Sequence, residues 1–355
     1  MNVSEFDFAL PAELIAQEAV PRGESRLLVL RRGGGELIHS TVRRLTEHFR
    51  DGDLLVANDT RVFPARLIGR RVPSGGAVEC LLLGMTDGRP EAGDPATEVW
   101  DALMHPGQKL KPGARVVFDG GGARLHGEVL ERLFFGRRRI RLTAETGTVA
   151  DAIDALGHIP LPPYIRRDDT PADRERYQTV FAAERGSVAA PTAGLHFDRP
   201  LLDALARAGI KRTTITLHVG YGTFKPVRVE RVEDHVVDPE PYEISAPAAA
   251  AINRALDDGR RVIAVGTTTT RALEDAARRG GGRVTSGRAQ AEIFIHPGFD
   301  FRVISGLLTN FHLPKSSLLM LVSAFAGRER VLEAYRQAVA RRYRFYSYGD
   351  AMLIV

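Results

Sequence analysis

Four segments of this 355-residue chain set acid–base or anion-holding side chains beside turns. In AAPTAGLHFD, residues 189–198, His196 follows a Pro-Thr-Ala-Gly turn that contains Thr192 and Gly194. In TTITLHVGYGTF, residues 213–224, His218 stands where an alternating strand breaks at glycines. LLTNFHLPKSS, residues 307–317, carries Thr309, Asn310, His312 and Lys315. Imidazole titrates near neutral pH, so a histidine at a strand end suits proton transfer; each of these histidines also reads as a hydrogen-bonded structural group. The fourth segment, GTTTTRALE, residues 266–274, opens a helix with hydroxyls and backbone N–H groups, and Arg271 follows. Such a start suits a phosphate or carboxylate, or is simply a run of capping threonines. It is neither a Walker sequence, which needs Gly-Lys-Ser/Thr, nor GxGxxG.

Other clusters carry less. EDHVVDPEPYEI, residues 233–244, offers His235, Asp238 and Glu240 as hard-metal ligands or acid–base groups, but the spacing matches no metal signature such as HExxH. A solvated acidic loop is the favoured reading, and no metal site is expected. GRRRIRL, residues 136–142, tracks a phosphate backbone or is an exposed arginine strand. GxSxG is absent, which argues against a serine hydrolase of that type.

The elements that must position these groups change character twice. DLLVANDTRVF reads as a buried strand, 54–57, entering a polar turn at 58–60. From about 61 to 148, short alternating segments punctuated by Gly, Pro and Asp predict a small antiparallel sheet or barrel. Beyond 149 helices return and alternate with strands. DTPADRERYQTVFAA reads as a helix with Thr170 as N-cap; Asp198, Ser245 and Ser316 or Ser317 read as further caps. AEIFIHP reads as part of the strand pattern. In TTITLHVG, Ile215, Leu217 and Val219 take one face, and Thr214, Thr216 and His218 the other. The expected fold is an α/β major domain with an inserted antiparallel β-barrel domain: 1–60 and 149–355 form the discontinuous α/β domain, 61–148 the barrel. Its strand-end loops are expected to converge on one cleft.

Composition is that of a soluble globular chain, 44% hydrophobic and 26% charged. Cys80 is the single cysteine, which leaves no internal disulfide and no thiolate metal cluster. MNVSEFDFALPAELIAQ lacks a basic region followed by an apolar run, so no secretory signal is expected. SSLLMLVSAFAG falls short of the roughly 20 residues that span a bilayer. A cytoplasmic protein with no membrane partner is the expectation. Net charge is +5, and only five of the 49 basic residues are lysines. Arginine's planar fork suits phosphate, though a general preference for arginine gives the same count.

Taken together, GSVAAPTAGLHFD, TLHVGYGTFKPV, GTTTTRALE, LLTNFHLPKSSLLMLVSAFAG and YSYGDAMLI resemble the S-adenosylmethionine:tRNA ribosyltransferase-isomerase family of queuosine biosynthesis. FDFALPAELIAQEAVPRGESRLLVL and DLLVANDTRVFPARL match as well, so the resemblance spans nearly the whole chain and is weakest in the barrel region. It implies a tRNA partner bearing aminomethyl-deazaguanine at the wobble position. S-Adenosylmethionine is implied as co-substrate and ribosyl donor, with no permanently bound cofactor. Adenine and methionine leave, and the sugar rearranges to the epoxycyclopentane of epoxyqueuosine. A monomer is expected.

The reaction assigns candidate roles under that resemblance. The sulfonium acidifies the adjacent methylene, and His196 or His218 would take its proton. The second histidine or Asp350 would supply the proton that departing adenine needs. Thr267, Thr268, Thr269, Thr270 and Arg271 would hold the methionine carboxylate. Asn310, His312 and Tyr346 would contact adenine or the modified base. Asp59, Arg61, Thr192, Gly194, Gly220, Gly222 and Thr223 complete the expected substrate-binding set. Where similar proteins read His-x-Met-His-x-Glu, this chain has HVVDPE: Asp238 replaces the second histidine and Val237 the methionine. That speaks against an obligatory acid–base role for that histidine. Tyr221 stands where a small residue is usual and is given no role. Two rivals remain from the residues: a tRNA-binding protein without catalysis, and a methyltransferase, against which the lack of a GxGxG loop after the first strand argues.

Overall fold

The computed structural model describes residues 1–86, 94–224 and 226–355, without the side chains of residues 135, 223 and 224. Strands β1 (Arg26–Leu30), β2 (Ile38–Thr41) and β3 (Leu54–Asn58) lead through the short β4 (Thr60–Val62) into β5 (Arg66–Val72), β6 (Ala77–Met85), β7 (Thr97–His105), β8 (Arg115–Gly120), β9 (Ala123–Arg132) and β10 (Arg137–Ala144). Then come α1 (Val149–Leu156), α2 (Asp173–Arg176), β11 (Glu184–Ser187), α3 (Arg199–Arg207), β12 (Lys211–Leu217), β13 (Glu240–Ile244), α4 (Ala246–Asp257), β14 (Val262–Val265) and α5 (Thr267–Arg279). The chain closes with β15 (Gly287–Ala291), β16 (Gly306–Asn310), α6 (Ser317–Ala326), α7 (Arg328–Ala340) and β17 (Ala351–Ile354).

The main sheet has nine strands in the order β15-β13-β12-β3-β14-β16-β17-β1-β2. Its centre, β12-β3-β14-β16, is parallel, so those strands end on one side of the molecule, where open α/β sheets hold ligands. Side-chain parity splits the core into two faces. Val262 and Ala264 of β14 and Leu28 and Leu30 of β1 join one apolar cluster; Ile263, Val265, Leu27 and Val29 join the other. Asp198, Ser245 and Ser316 cap α3, α4 and α6 through their side chains, as their sequence positions require.

Strands β5 to β10 close into a six-stranded barrel in the order β10-β7-β6-β5-β8-β9. The protein is therefore an α/β fold carrying an antiparallel β-barrel. Val149, Ala152 and Ile153 of α1 pack into the barrel core. GRRRIRL is sorted by strand parity: Arg138 turns inward, and its guanidinium donates to the carbonyls of Leu110 at 2.8 Å, Arg137 at 2.8 Å and Gly107 at 2.6 Å. Outside, Arg139 pairs with Asp101 and Glu131, and Arg141 with Glu128. These arginines answer neighbouring carboxylates, which weakens the phosphate-tracking reading.

Two local expectations are corrected. The helix expected over DTPADRERYQTVFAA is the single turn α2, because Gln178 clamps the chain onto β4, donating to the Val62 carbonyl at 2.6 Å and accepting from its N–H at 3.0 Å. AEIFIHP leaves the strand after Ala291, because Arg271 takes the carbonyls of Ala291 at 2.9 Å and Ile293 at 3.3 Å. Among the described residues no helix is long and apolar enough to cross a membrane.

Candidate active site

The loops after β12, β14 and β16 do not meet in one cleft. They line two cavities that share Val219 and Leu318. The larger, about 930 Å³, opens between the barrel and the α/β part and is lined by His218, Gly220, Gly222 and Arg271 on one side and by Glu98, Trp100 and Arg137 on the other. The smaller, about 50 Å³, is lined by Thr192, Thr267, Thr268, Asn310, His312 and Tyr346. Drug-sized ligands need several hundred Å³; the small cavity has room for a group of roughly carboxylate size.

In the large cleft, His218 follows directly on β12, and its Nδ1 lies 2.7 Å from the Thr60 hydroxyl. That hydroxyl also reaches the Glu184 carbonyl, 3.5 Å away. Burial lowers the imidazole pKa, against the opposing charges of Asp59, Glu184 and Glu243. The ring is therefore neutral at pH 7. Gly186 makes room for it: a Cβ there would stand 2.7 Å from the ring. Gly222 likewise yields to Asp238, whose Oδ2 a Cβ would meet at 2.4 Å.

The reading of 235–240 as a solvated loop is corrected. Val236 stays exposed, but Glu240 is buried, and a buried carboxylate needs a cation. Glu240 is buried, pairs with Arg271 at 2.5 Å and accepts the Gly220 N–H at 3.1 Å. Asp238 pairs with Arg137 of the barrel at 3.4 Å. His235 packs edge-on against Phe294, centroids 5.0 Å apart. Arg271 also donates to the carbonyls of Asp238, Ala291 and Ile293. Its guanidinium braces the cleft wall and is spent on the protein rather than left for a carboxylate ligand.

The small cavity sits at the start of α5, whose N-cap Gly266 has φ of 92°. Thr269 and Thr270 turn away from it: their hydroxyls donate back to the carbonyls of Val265 at 2.8 Å and Gly266 at 3.1 Å. Thr267 and Thr268 remain at the cavity, and the Thr268 hydroxyl, on a residue only 8% exposed, is buried without a hydrogen-bond partner among the described residues.

Asn310 ends β16 and is fully bonded. Its Nδ2 donates to the Tyr346 carbonyl at 3.0 Å, which fixes the amide's orientation because a carbonyl only accepts. The Thr192 hydroxyl donates to Oδ1 at 3.2 Å, and Nδ2 also faces His196 Nε2 at 3.2 Å. His196 must then be the Nδ1–H tautomer, donating to Ser25 Oγ at 3.0 Å. Its ring is 4% exposed and lines neither cavity, and burial pushes its pKa down to about 3. His312 is equally buried, bonded to Thr309 at 3.0 Å, with its pKa also pushed to about 3. Tyr346 adopts φ of 74°, and its ring meets Tyr164 edge-on at 3.9 Å.

Other expected residues stand apart. Asp350 is buried beside β1, accepting from Arg26 N at 3.0 Å, the Arg26 guanidinium at 3.0 Å and Arg344 N at 2.8 Å. It ties β1 to the C-terminal segment and lines neither cavity. Asp59 accepts from Thr216 at 2.7 Å, Arg61 is exposed on β4, and Gly194 packs against Thr179. None of these three lines either of the two cavities. The Thr223 side chain lies outside the described residues. Sequence reasoning missed Gly186, Glu98 and Trp100 as cleft residues. Gly186 opens the GSVAAP segment, a visible signal; Glu98 and Trp100 share a strand parity that only barrel closure turns toward the cleft.

Comparison with known proteins agrees with this architecture. The family model described as queuosine biosynthesis protein matches residues 3–354. The S-adenosylmethionine:tRNA ribosyltransferase-isomerases of Desulfitobacterium hafniense and Heliobacterium modesticaldum are 49% and 50% identical, each covered in full by the whole of this chain. The crystal structure of S-adenosylmethionine tRNA ribosyltransferase from Thermotoga maritima aligns with 99% of this chain and 100% of its own, at 35% identity and a TM-score of 0.54. The chain belongs to the queuosine biosynthesis protein family.

Proposed function

We propose that the protein transfers and isomerises the ribosyl moiety of S-adenosylmethionine onto the aminomethyl-deazaguanine wobble base of tRNA, giving epoxyqueuosine-tRNA with release of adenine and methionine. Full-length relatives that bear the ribosyltransferase-isomerase name support the activity. The observation that carries the reading of the site is the pair of cavities meeting at Val219 and Leu318. The large cleft admits a nucleoside-sized donor together with a flipped base. The small one takes the methionine carboxylate at the N-terminus of α5, offered the Thr267 and Thr268 hydroxyls and the helix dipole.

His218 is the base in this reading. It lines the cleft, and in the tautomer that keeps its proton on Nδ1, Nε2 takes the proton from the carbon next to sulfur. His196 holds Asn310, and Asn310, Tyr346 and Thr192 line the small cavity. Residues 1–60 and 149–355 act as the catalytic domain, with 61–148 as the inserted barrel that closes the cleft from above. The test is product analysis: protein, aminomethyl-deazaguanine tRNA and ribose-labelled S-adenosylmethionine, followed by digestion and mass spectrometry. Label in the tRNA with free adenine and methionine is expected; S-adenosylhomocysteine, or binding without label, overturns it.

A further inference from the structure

The barrel mouth holds a carboxyl group where strand alternation calls for an apolar side chain. Glu98, Trp100, Ala102 and Met104 share one face of β7, and Ala102 and Met104 lie in the barrel core. Glu98 therefore belongs to the inward set, yet it lines the cleft at 8% exposure. A buried carboxyl is costly unless a partner or ligand answers it. Among the described residues its hydrogen bond comes from Trp100 Nε1, 2.8 Å from Oε2. Trp100 in turn lies 5.6 Å from Phe63, centroid to centroid, and the Arg185 guanidinium caps Phe63 at 5.4 Å. Arg185 is itself committed to Asp154 at 2.8 Å. Burial raises the Glu98 pKa against the opposing pull of Trp100 and Arg185. The wall is thus two aromatic rings beside one under-answered carboxyl, a surface suited to a flat base bearing a cationic arm.

We infer that Glu98 is the specificity-determining acceptor for the aminomethyl group of the wobble base, with Trp100 fixing its orientation and Trp100 and Phe63 flanking the ring. This rests on the function proposed above. It assigns the barrel wall to the base and the opposite wall, with His218, to the sulfonium donor, so the amine faces the reacting carbon across the cleft.

The experiment compares two anticodon stem-loops, one with aminomethyl-deazaguanine and one with guanine at the wobble position, binding to the full chain without S-adenosylmethionine. Wild type is expected to prefer the modified stem-loop. Glu98→Gln should lose about tenfold to a hundredfold of that preference, the scale of a hydrogen bond to a charged group. Affinity for the guanine stem-loop and for S-adenosylmethionine should be unchanged. Should E98Q not fold, Trp100→Phe keeps the carboxyl and removes its donor; its preference should fall several-fold. An unchanged preference in the folded variant, or a loss that falls on S-adenosylmethionine affinity instead, overturns the inference while wild-type ribosyl transfer stands. A wild type that neither transfers label nor distinguishes the stem-loops overturns the functional reading itself, and this inference with it.

Discussion

Asn310 reaches His196 through one hydrogen bond, Nδ2 to Nε2 at 3.2 Å, and the Tyr346 carbonyl on the same amide fixes which atom is the donor. A histidine expected to do chemistry is thereby a neutral acceptor behind the residue that meets the cavity. His196→Ala should raise KM for S-adenosylmethionine about tenfold and Asn310→Ala at least as much, with the double variant little worse than Asn310→Ala alone, since the contact that His196→Ala removes is one Asn310→Ala already breaks. The pH profile of kcat should not move in His196→Ala. A displaced acid limb in that variant would return His196 to the chemistry.

His218→Ala should lower kcat by about 10²–10⁴, the range of a positioned base. Because burial lowers the His218 pKa, the wild-type rate should hold at neutral pH and fall only as the pH drops through a value under 6.5. Gly186→Ala should do similar damage without touching the imidazole, since its methyl occupies the ring's place. Steady-state rates from pH 5 to 8 on the three proteins check this.

Buried His196 and His312 make the fold acid-sensitive. Their folded pKa values, about 3, lie below the ordinary imidazole value of 6.5, so the unfolded chain binds more protons between those limits. Their contribution is whole above pH 6.5 and is lost as pH falls, by up to about 1.4 kcal/mol per pH unit for each histidine. Urea midpoints at pH 7.5 and 5.0 should show the loss, and His312→Gln should show a shallower one. Equal slopes would mean His312 titrates normally.

Thr268→Val separates binding from stability. The buried hydroxyl has no partner among the described residues, so its removal should leave the melting temperature unchanged or higher. If the hydroxyl receives the methionine carboxylate, KM for S-adenosylmethionine should rise about tenfold at constant kcat. Unchanged KM would remove the small cavity from donor binding.

Arg271→Ala should destabilise the protein by about 3–5 kcal/mol, because Glu240 is left charged in a buried site. Replacing both partners, Arg271→Met with Glu240→Gln, should cost much less. Thermal melts of the two variants decide whether the pair is a brace; a mild single variant with strongly weakened S-adenosylmethionine binding would restore Arg271 as a ligand.

Strand parity, helix caps and glycine breaks are short-range properties, so the barrel segment, the caps at Asp198, Ser245 and Ser316, and the strand ends at His218 and Asn310 were all legible in the sequence. The motifs also carried the family. Which hydroxyl is free was not legible. Thr267 to Thr270 look alike in sequence, and only helix geometry, which lets Thr269 and Thr270 bond back one turn, leaves Thr268 unanswered. Nor was the fate of the charges. Asp238 and Glu240 are near neighbours in the chain, but Arg137 and Arg271 are far from both; helix α5 brings Arg271 to Glu240, and the barrel closing on the sheet brings Arg137 to Asp238. His196 and His218 are both histidines beside turns. Burial behind Asn310 makes one an inert acceptor, while the cleft gives the other an open nitrogen; desolvation and hydrogen-bond partners, which exist only after folding, decide between them.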